Sequence, residues 1–299
     1  MEEIIHLEKP EGVIVQLGGQ TALKLAETLK EKGIKIIGTD FASMDLAEDR
    51  GSFSDLLKEL NIPYPNYGVA NDVDQAIEIA NKVSYPVLVR PSYVLGGQSM
   101  RIVINDEELE RHVLKIYKQL PDNKILIDQF LDRAKEAEID AICDGEDVHI
   151  MGIMEHIEPA GVHSGDSSAV LPTYSLSTDV INQMVEYAKK LAHALKIKGL
   201  INIQFAIKNE KVYIIEANPR ASRTVPFISK AIGKSLVKVA SKAMLGLSLA
   251  DQKFSSKLSN GLFFVKEAVL PFDKFPMSDP ILGPEMKSTG EVMGIGKNF

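Results

Sequence analysis

Two apolar segments carry polar residues at interior points where a strand needs a reason for them: residues 200–208, LINIQFAIK, and 212–220, VYIIEANPR. Gln204, Glu216 and Asn218 stand out. If a three-residue turn through Asn209, Glu210 and Lys211 joins the segments, Gln204 falls opposite Glu216, and the two-residue period of a strand puts Asn218 on the same face. Three oxygen donors then converge, as a hard divalent cation requires; Mg2+ is usually held by one or two carboxylates plus substrate phosphates. A two-residue turn would set Gln204 and Glu216 on opposite faces and dissolve the arrangement. The plainer alternative is that Glu216 and Asn218 cap the turn that follows.

Arg220 and Arg223 come directly after those positions. Guanidinium forks there could hold a transferring phosphoryl group or an anionic substrate, and phosphoryl transfer depends on such placed charge more than on a covalent nucleophile. Taken alone, two arginines near a loop are commonly solvated surface. Arg90 precedes a second candidate, PSYVLGGQ at 91–98, where Gly96 and Gly97 would let backbone N–H groups approach phosphates. The GxxxxGK[ST] pattern is absent, and two glycines between strands are by themselves usually a hairpin. Arg50 is either a helix-surface ion-pair partner or a second phosphate contact. The loop 161–166, GVHSGD, can grip a nucleotide or an anion. A Ser-His-Asp hydrolase triad is a poor reading of it, because the three are local in sequence and no GxSxG elbow is present. Cys143, in an apolar strand beside a turn, reads as a buried inert thiol, and His6, His112, His149 and His193 show no ligand spacing.

The elements that must position these groups follow from periodicity. Strand 13–16, glycine turn 17–20, helix 21–32 and strand 34–37 read as half of a parallel α/β unit, truncated on its N-terminal side. A helix over 46–60 carries Phe53, Leu56, Leu57 and Leu60 at helical spacing before a Pro-rich break at 61–65. Next come a helix at 72–82, strands at 86–90 and 100–104, and a helix capped by Asn105. Strands 125–127, 137–142 and 148–154 read as an antiparallel meander, and a helix at 181–196 precedes the segments 200–208 and 212–220. Helical stretches run to about residue 247, and the tail from 253 is mixed.

Composition bounds the partners. With 299 residues, 45% apolar, the chain can bury a large core. A net charge of −7 without a basic stripe argues against nucleic acid. No apolar run approaches the ~20 residues that span a bilayer. A single cysteine and an N-terminus without a signal pattern suit a reducing, cytoplasmic compartment.

RPSYVLGG at 90–97, AICDGE at 141–146, GIMEHIEPAGVHSGDS at 152–167, NIQFAIK at 202–208 and IEANPRASRTVPF at 215–227 together resemble the ATP-grasp enzymes. Over nearly the whole chain the likeness is to the second, carbamate-phosphorylating half of the carbamoyl phosphate synthetase large subunit. The resemblance implies an α/β and α+β architecture in which two α+β subdomains grip ATP. Its units would be a partial Rossmann-like pre-ATP-grasp unit at 1–50, a lid subdomain at 51–130, a nucleotide- and metal-binding subdomain at 131–255, and an extension at 256–299 packing on the body. It further implies that Gln204, Glu216 and Asn218 hold two Mg2+ or Mn2+ ions and that Arg50, Arg90 and His163 contact phosphates. Glu136 would bind the ribose hydroxyls, 129–131 (Gln129 to Leu131) would line the adenine pocket, Gly161, Val162 and Ser164 would complete the nucleotide loop, and Arg220 and Arg223 would face the transferred phosphoryl group. Gln129 stands where family members can have histidine.

The implied reaction is carbamate + ATP → carbamoyl phosphate + ADP, serving arginine and pyrimidine biosynthesis. The chain looks like a fragment whose partners are the missing N-terminal synthetase half, an allosteric domain and a glutaminase small subunit. The alternatives are an ATP-grasp carboxylate–amine ligase, or a nucleotide-binding piece that does not turn over.

Overall fold

The structure is a computed structural model that describes residues 1–91, 97–120, 123–255 and 261–299. The helix α1 (Glu2–Glu8) and α2 (Gly19–Glu31) open the chain, and Val13 and Ile36 form a parallel bridge beneath α2. Val15, Leu23, Ala26, Leu29 and Met44 form the small core of this N-terminal unit. Where a single helix over 46–60 is expected, there are two, α3 (Phe41–Glu48) and α4 (Arg50–Glu59). Asp49 leaves the helical region to cap α4, its carboxylate accepting from Ser52 N at 2.8 Å. An Asp at such a position competes with the helical ladder, which is why the register of apolar residues continued while the helix did not.

A four-stranded antiparallel sheet follows, with β1 (Tyr67–Ala70), β2 (Val87–Pro91), β3 (Arg101–Val103) and β4 (Ile125–Gln129) in the order β1-β4-β2-β3. The helices α5 (Val73–Val83) and α6 (Asp106–Gln119) cover one face, burying Ala76, Ala80, Leu109, Val113 and Ile116 against Val87, Val89, Ile125 and Ile127. The strand at 125–127 therefore belongs to this sheet and not to the meander expected after it.

The larger sheet has seven strands: β5 (Lys135–Asp144), β6 (Val148–His156), β7 (Ala169–Leu171), β8 (Lys198–Lys208), β9 (Lys211–Asn218), β10 (Phe263–Val269) and β11 (Gly290–Gly296), in the order β11-β10-β7-β6-β5-β8-β9. The tail thus extends the sheet as two strands. One face buries Ala137, Ile139, Ile201, Ile203, Phe205, Val212 and Ile214 beneath α7 (Thr178–Ala194) and beneath Phe53 and Leu57 of α4. On the other face, α8 (Thr224–Ile232) and α9 (Leu236–Met244) cover one end through Val225, Ile228, Leu236 and Met244. The remainder of that face is polar. It is built by alternation, since Glu136, Glu138 and Asp140 point there while Ala137, Ile139 and Ala141 point to the core.

Candidate active site

The hairpin of β8 and β9 is closed by a two-residue turn, Asn209-Glu210, both residues at positive φ (52° and 60°), with Lys208 opposite Lys211. By the argument above this turn should separate Gln204 from Glu216, yet the two are paired. A β-bulge supplies the difference: Phe205 pairs with Ile214, the next pair is Gln204 with Glu216, and Ile215 is the extra residue. The bulge changes the phase of β9 part-way along, so that Val212 and Ile214 face the core while Glu216 and Asn218 face the polar side. Asn202 lies opposite Asn218 one step further.

On that face Gln204 Nε2 donates to Ser164 Oγ at 2.9 Å, leaving its carbonyl oxygen as the group free to ligate. Asn218 Nδ2 donates to Glu216 Oε1 at 2.9 Å, and Arg220 Nη2 donates to Asn218 Oδ1 at 3.0 Å. Glu216 is exposed although its neighbour Ala217 is buried. Among the described residues no three His, Cys, Asp or Glu side chains gather as a metal group. The oxygen set of one carboxylate and two amides nevertheless fits Mg2+, which takes few protein ligands and completes its shell with phosphate oxygens and water.

The loop carrying Gly161, Val162, His163 and Ser164 packs over the same face. Gly161 N donates to Glu136 Oε1 at 3.1 Å. Gly161 sits at φ 102°, a conformation a side chain adopts only with strain, and its Cα faces the tips of the Ile102 and Phe130 side chains, 2.8 and 3.0 Å from where a Cβ would lie. Burial holds the His163 pKa below the ordinary histidine value despite the nearby Glu216 and Asp166 carboxylates. Gly165 N donates to Nδ1 at 3.0 Å, which assigns the proton of the neutral ring to Nε2 and leaves that N–H as a donor. Leu131 joins Ala134, Ala160, Ala206, Tyr213 and Ile215 in a small apolar patch, and Gln129 ends β4 beside it with its N–H on Asn66 O. Gly97 is pressed against the C-terminal segment, where a Cβ would sit 2.1 Å from Pro284 O; Gly96 lies outside the described residues.

Arg50 and Arg90 share one partner that sequence reading passed over. Asp128 accepts from Arg50 Nη2 at 2.8 Å and from Arg90 Nε at 3.0 Å, while Arg50 Nη1 reaches Ile215 O at 3.1 Å. Burial opposes ionisation of Asp128, but the two guanidinium groups prevail and hold its pKa below the ordinary value. Arg50 is thus an ion-pair partner that ties α4 to both sheets. Arg90, at the end of β2, is held on the same carboxylate through its Nε.

Beside the ligand strands, on the neighbouring β5 and β6, lies a buried polar row that was also overlooked. Glu138 accepts from Asn202 Nδ2 at 2.8 Å, and His156 sits between Glu138 and Glu136 at 3.4 and 3.5 Å. Burial disfavours the charged imidazole, but the two carboxylates overcome it and raise the His156 pKa to about 9. Asp140 is pushed up to about 7 by burial and by the Glu138 charge. Its oxygens accept from Ser222 and Thr224, anchoring the turn behind Arg220 and Arg223. Arg223 Nη1 reaches Ser288 Oγ at 3.3 Å, and Lys266, fully buried, donates to Ser164 O at 3.0 Å. The alternation Glu136-Ala-Glu138-Ile-Asp140 was the available sequence signal for this row.

Residues 49–252 match the family described as the ATP binding domain of the carbamoyl-phosphate synthase L chain, and residues 1–46 match the carbamoyl phosphate synthase preATP-grasp domain. The chain belongs to the carbamoyl-phosphate synthase large-chain family. It is 58% identical over 301 residues to the carbamoyl phosphate synthase large chain of Archaeoglobus fulgidus, covering 100% of this chain and 28% of that one. Its identity to the C-terminal section of the Aquifex aeolicus large chain is 50%, covering 99% of this chain and 58% of that section. The chain therefore spans about 28% of the length of the full-length relatives it matches.

Its architecture is the ATP-grasp fold behind a pre-ATP-grasp unit. Solved structures share it at low identity: a Campylobacter jejuni biotin carboxylase–βγ-ATP complex (TM-score 0.75, 19% identity, covering 90% of this chain and 61% of that one), and an ADP complex of N5-carboxyaminoimidazole ribonucleotide synthetase (TM-score 0.72, 16% identity, covering 92% and 74%). Among the described residues no helix is long and apolar enough to cross a membrane.

Proposed function

We propose that this chain is the carbamate-phosphorylating unit of a carbamoyl phosphate synthase, transferring the γ-phosphoryl group of ATP to carbamate. The observation that carries this reading is the convergence on one sheet face of the Gln204, Glu216 and Asn218 oxygens with Arg220, within a chain half-identical to a large chain's C-terminal section. Gln204, Glu216 and Asn218 hold two Mg2+ or Mn2+ ions in this reading, and the cations would neutralise phosphate charge and align the reacting oxygens. Arg50, Arg90 and the His163 Nε2–H bind phosphate oxygens in this reading. Glu136 takes the ribose hydroxyls, Gly161, Val162 and Ser164 close over the phosphates, and the patch around Leu131, with Gln129, receives the adenine. Arg220 and Arg223 stabilise the charge on the transferred group. Carbamate, the N-terminal synthetase half, the allosteric domain and the glutaminase subunit are the corresponding partners, in arginine and pyrimidine biosynthesis in the cytoplasm.

The test is the reverse reaction. Purified chain is given Mg-ADP and carbamoyl phosphate, and ATP formation is followed with Glu216→Gln as control, a change that removes one charge at nearly constant volume. ATP from the wild type and none from the variant is the expected result. A folded, ADP-binding wild type that makes no ATP would overturn the substrate assignment.

A further inference from the structure

The ladder of β8 and β9 ends at the pair Asn202–Asn218, and the chain that carries Arg220 and Arg223 leaves the sheet there. What holds it next is a residue of the N-terminal unit. Gln16 is fully buried, and its Nε2 donates to Pro219 O at 2.7 Å and to Thr39 Oγ1 at 2.9 Å, with Leu200 O at 3.4 Å. Its backbone oxygen accepts from Ala221 N at 2.9 Å. Thr39 is itself fixed, its Oγ1 accepting from Lys198 N at 3.0 Å. Two glycines make the slot: a Cβ on Gly38 would approach Gln16 Oε1 to 2.6 Å and one on Gly199 to 2.5 Å, both at positive φ (109° and 121°). Gln16 thus grips the turn on both sides of Arg220, through Pro219 and Ala221, across more than two hundred residues of sequence.

We propose that Gln16 is a positioning residue for the site, setting the turn from Asn218 to Arg223 and with it the oxygen of Asn218 and the guanidinium of Arg220. This rests on the reading of Gln204, Glu216 and Asn218 as cation ligands. The reasoning is geometric. A fully buried amide that donates to a main-chain oxygen leaves that oxygen without its partner when an apolar side chain of the same length takes its place. The turn would then relax, and a ligand misplaced by about 1 Å forfeits much of its contribution. An ordinary core role would instead lower stability without selecting the cation.

The experiment measures ADP binding by calorimetry on the full chain, with and without Mn2+, and Mn2+ binding in the ADP complex by electron paramagnetic resonance. Gln16→Met keeps the length and removes the amide. In the folded variant the metal-free ADP affinity stays within about twofold of wild type, while the gain in affinity conferred by Mn2+ falls at least tenfold, given the 10²-fold cost of small misplacements. If that variant does not fold, Gln16→Asn, whose amide is one methylene too short to reach Pro219 O, takes its place with the same expectation. A Mn2+-dependent gain within twofold of wild type in either folded variant overturns the proposal. Wild-type ADP binding that is indifferent to Mn2+ would remove instead the cation-site reading beneath it.

Discussion

Replacing Asp128 by Asn tests what holds Arg50 and Arg90 in place. The change keeps the shape and removes the charge between two guanidinium groups at 2.8 and 3.0 Å. The Arg90 side chain, 26% exposed, can turn toward water; that of Arg50, 12% exposed, cannot, so the cost falls on Arg50. Removing one partner of a buried ion pair costs about 3–5 kcal/mol. An unfolding entropy of ~2.1 cal/mol/K per residue gives a chain of 299 residues about 0.6 kcal/mol per degree, so the loss corresponds to roughly 5–8 °C in Tm. Thermal unfolding followed by circular dichroism reads this directly. Because the cost is mostly that of an orphaned charge, Arg50→Met combined with Asp128→Leu should recover part of it. The Asp128 contribution is present above pH ~4 and lost as pH falls through the lowered native pKa, so the Asn variant converges on wild type only in acid. A fall in Tm below about 2 °C at pH 7 would show that Asp128 does not hold the pair and would refute the reasoning.

Three further outcomes follow from the geometry. Gly97→Ala places a methyl group 2.1 Å from Pro284 O at φ 70°, and differential scanning fluorimetry should show a loss of more than the ~1–2 kcal/mol that a left-handed conformation alone costs; unchanged Tm would mean that the contact yields freely. His156, raised to about 9 by its carboxylates, stabilises the fold fully below its ordinary pKa near 6.5, and this is lost as pH rises through 9. Asp140, raised to about 7, acts in the same sense at lower pH. Urea midpoints should therefore fall between pH 6.5 and 9, and His156→Gln should flatten that slope. Cys143, buried with its thiol pushed up to about 12, should resist iodoacetamide in the native protein and react in urea, read by mass spectrometry.

How much of this was readable beforehand varies from residue to residue. The candidate ligands Gln204, Glu216 and Asn218 stood out because amide and carboxylate groups inside apolar strands need a purpose, and the structure brings them to one face. The reason offered for their convergence was mistaken, since the loop is a two-residue turn and the bulge at Ile215 restores the phase. Bulges follow from the fit of both strands to their neighbours, and no residue of β9 announces one. Likewise the apolar period that runs past Asp49 reads as one helix, and only the structure shows that Asp49 breaks it as the cap of α4.

What the sequence by itself determined is the list of parts. Strand and helix periods, the glycine loops, the polar residues set in apolar strands and the motif resemblance all depend on composition over short windows, where side-chain chemistry and backbone propensity act locally. Partnership was decided only by the tertiary structure. The pairing of Asp128 with Arg50 and Arg90, the buried row of Glu138, Asp140 and His156, and the grip of Gln16 on Pro219 join residues far apart in the chain. Such contacts come from packing two sheets and an N-terminal unit at atomic separation, and the cost of burying a charge or an amide then selects which distant group must meet it.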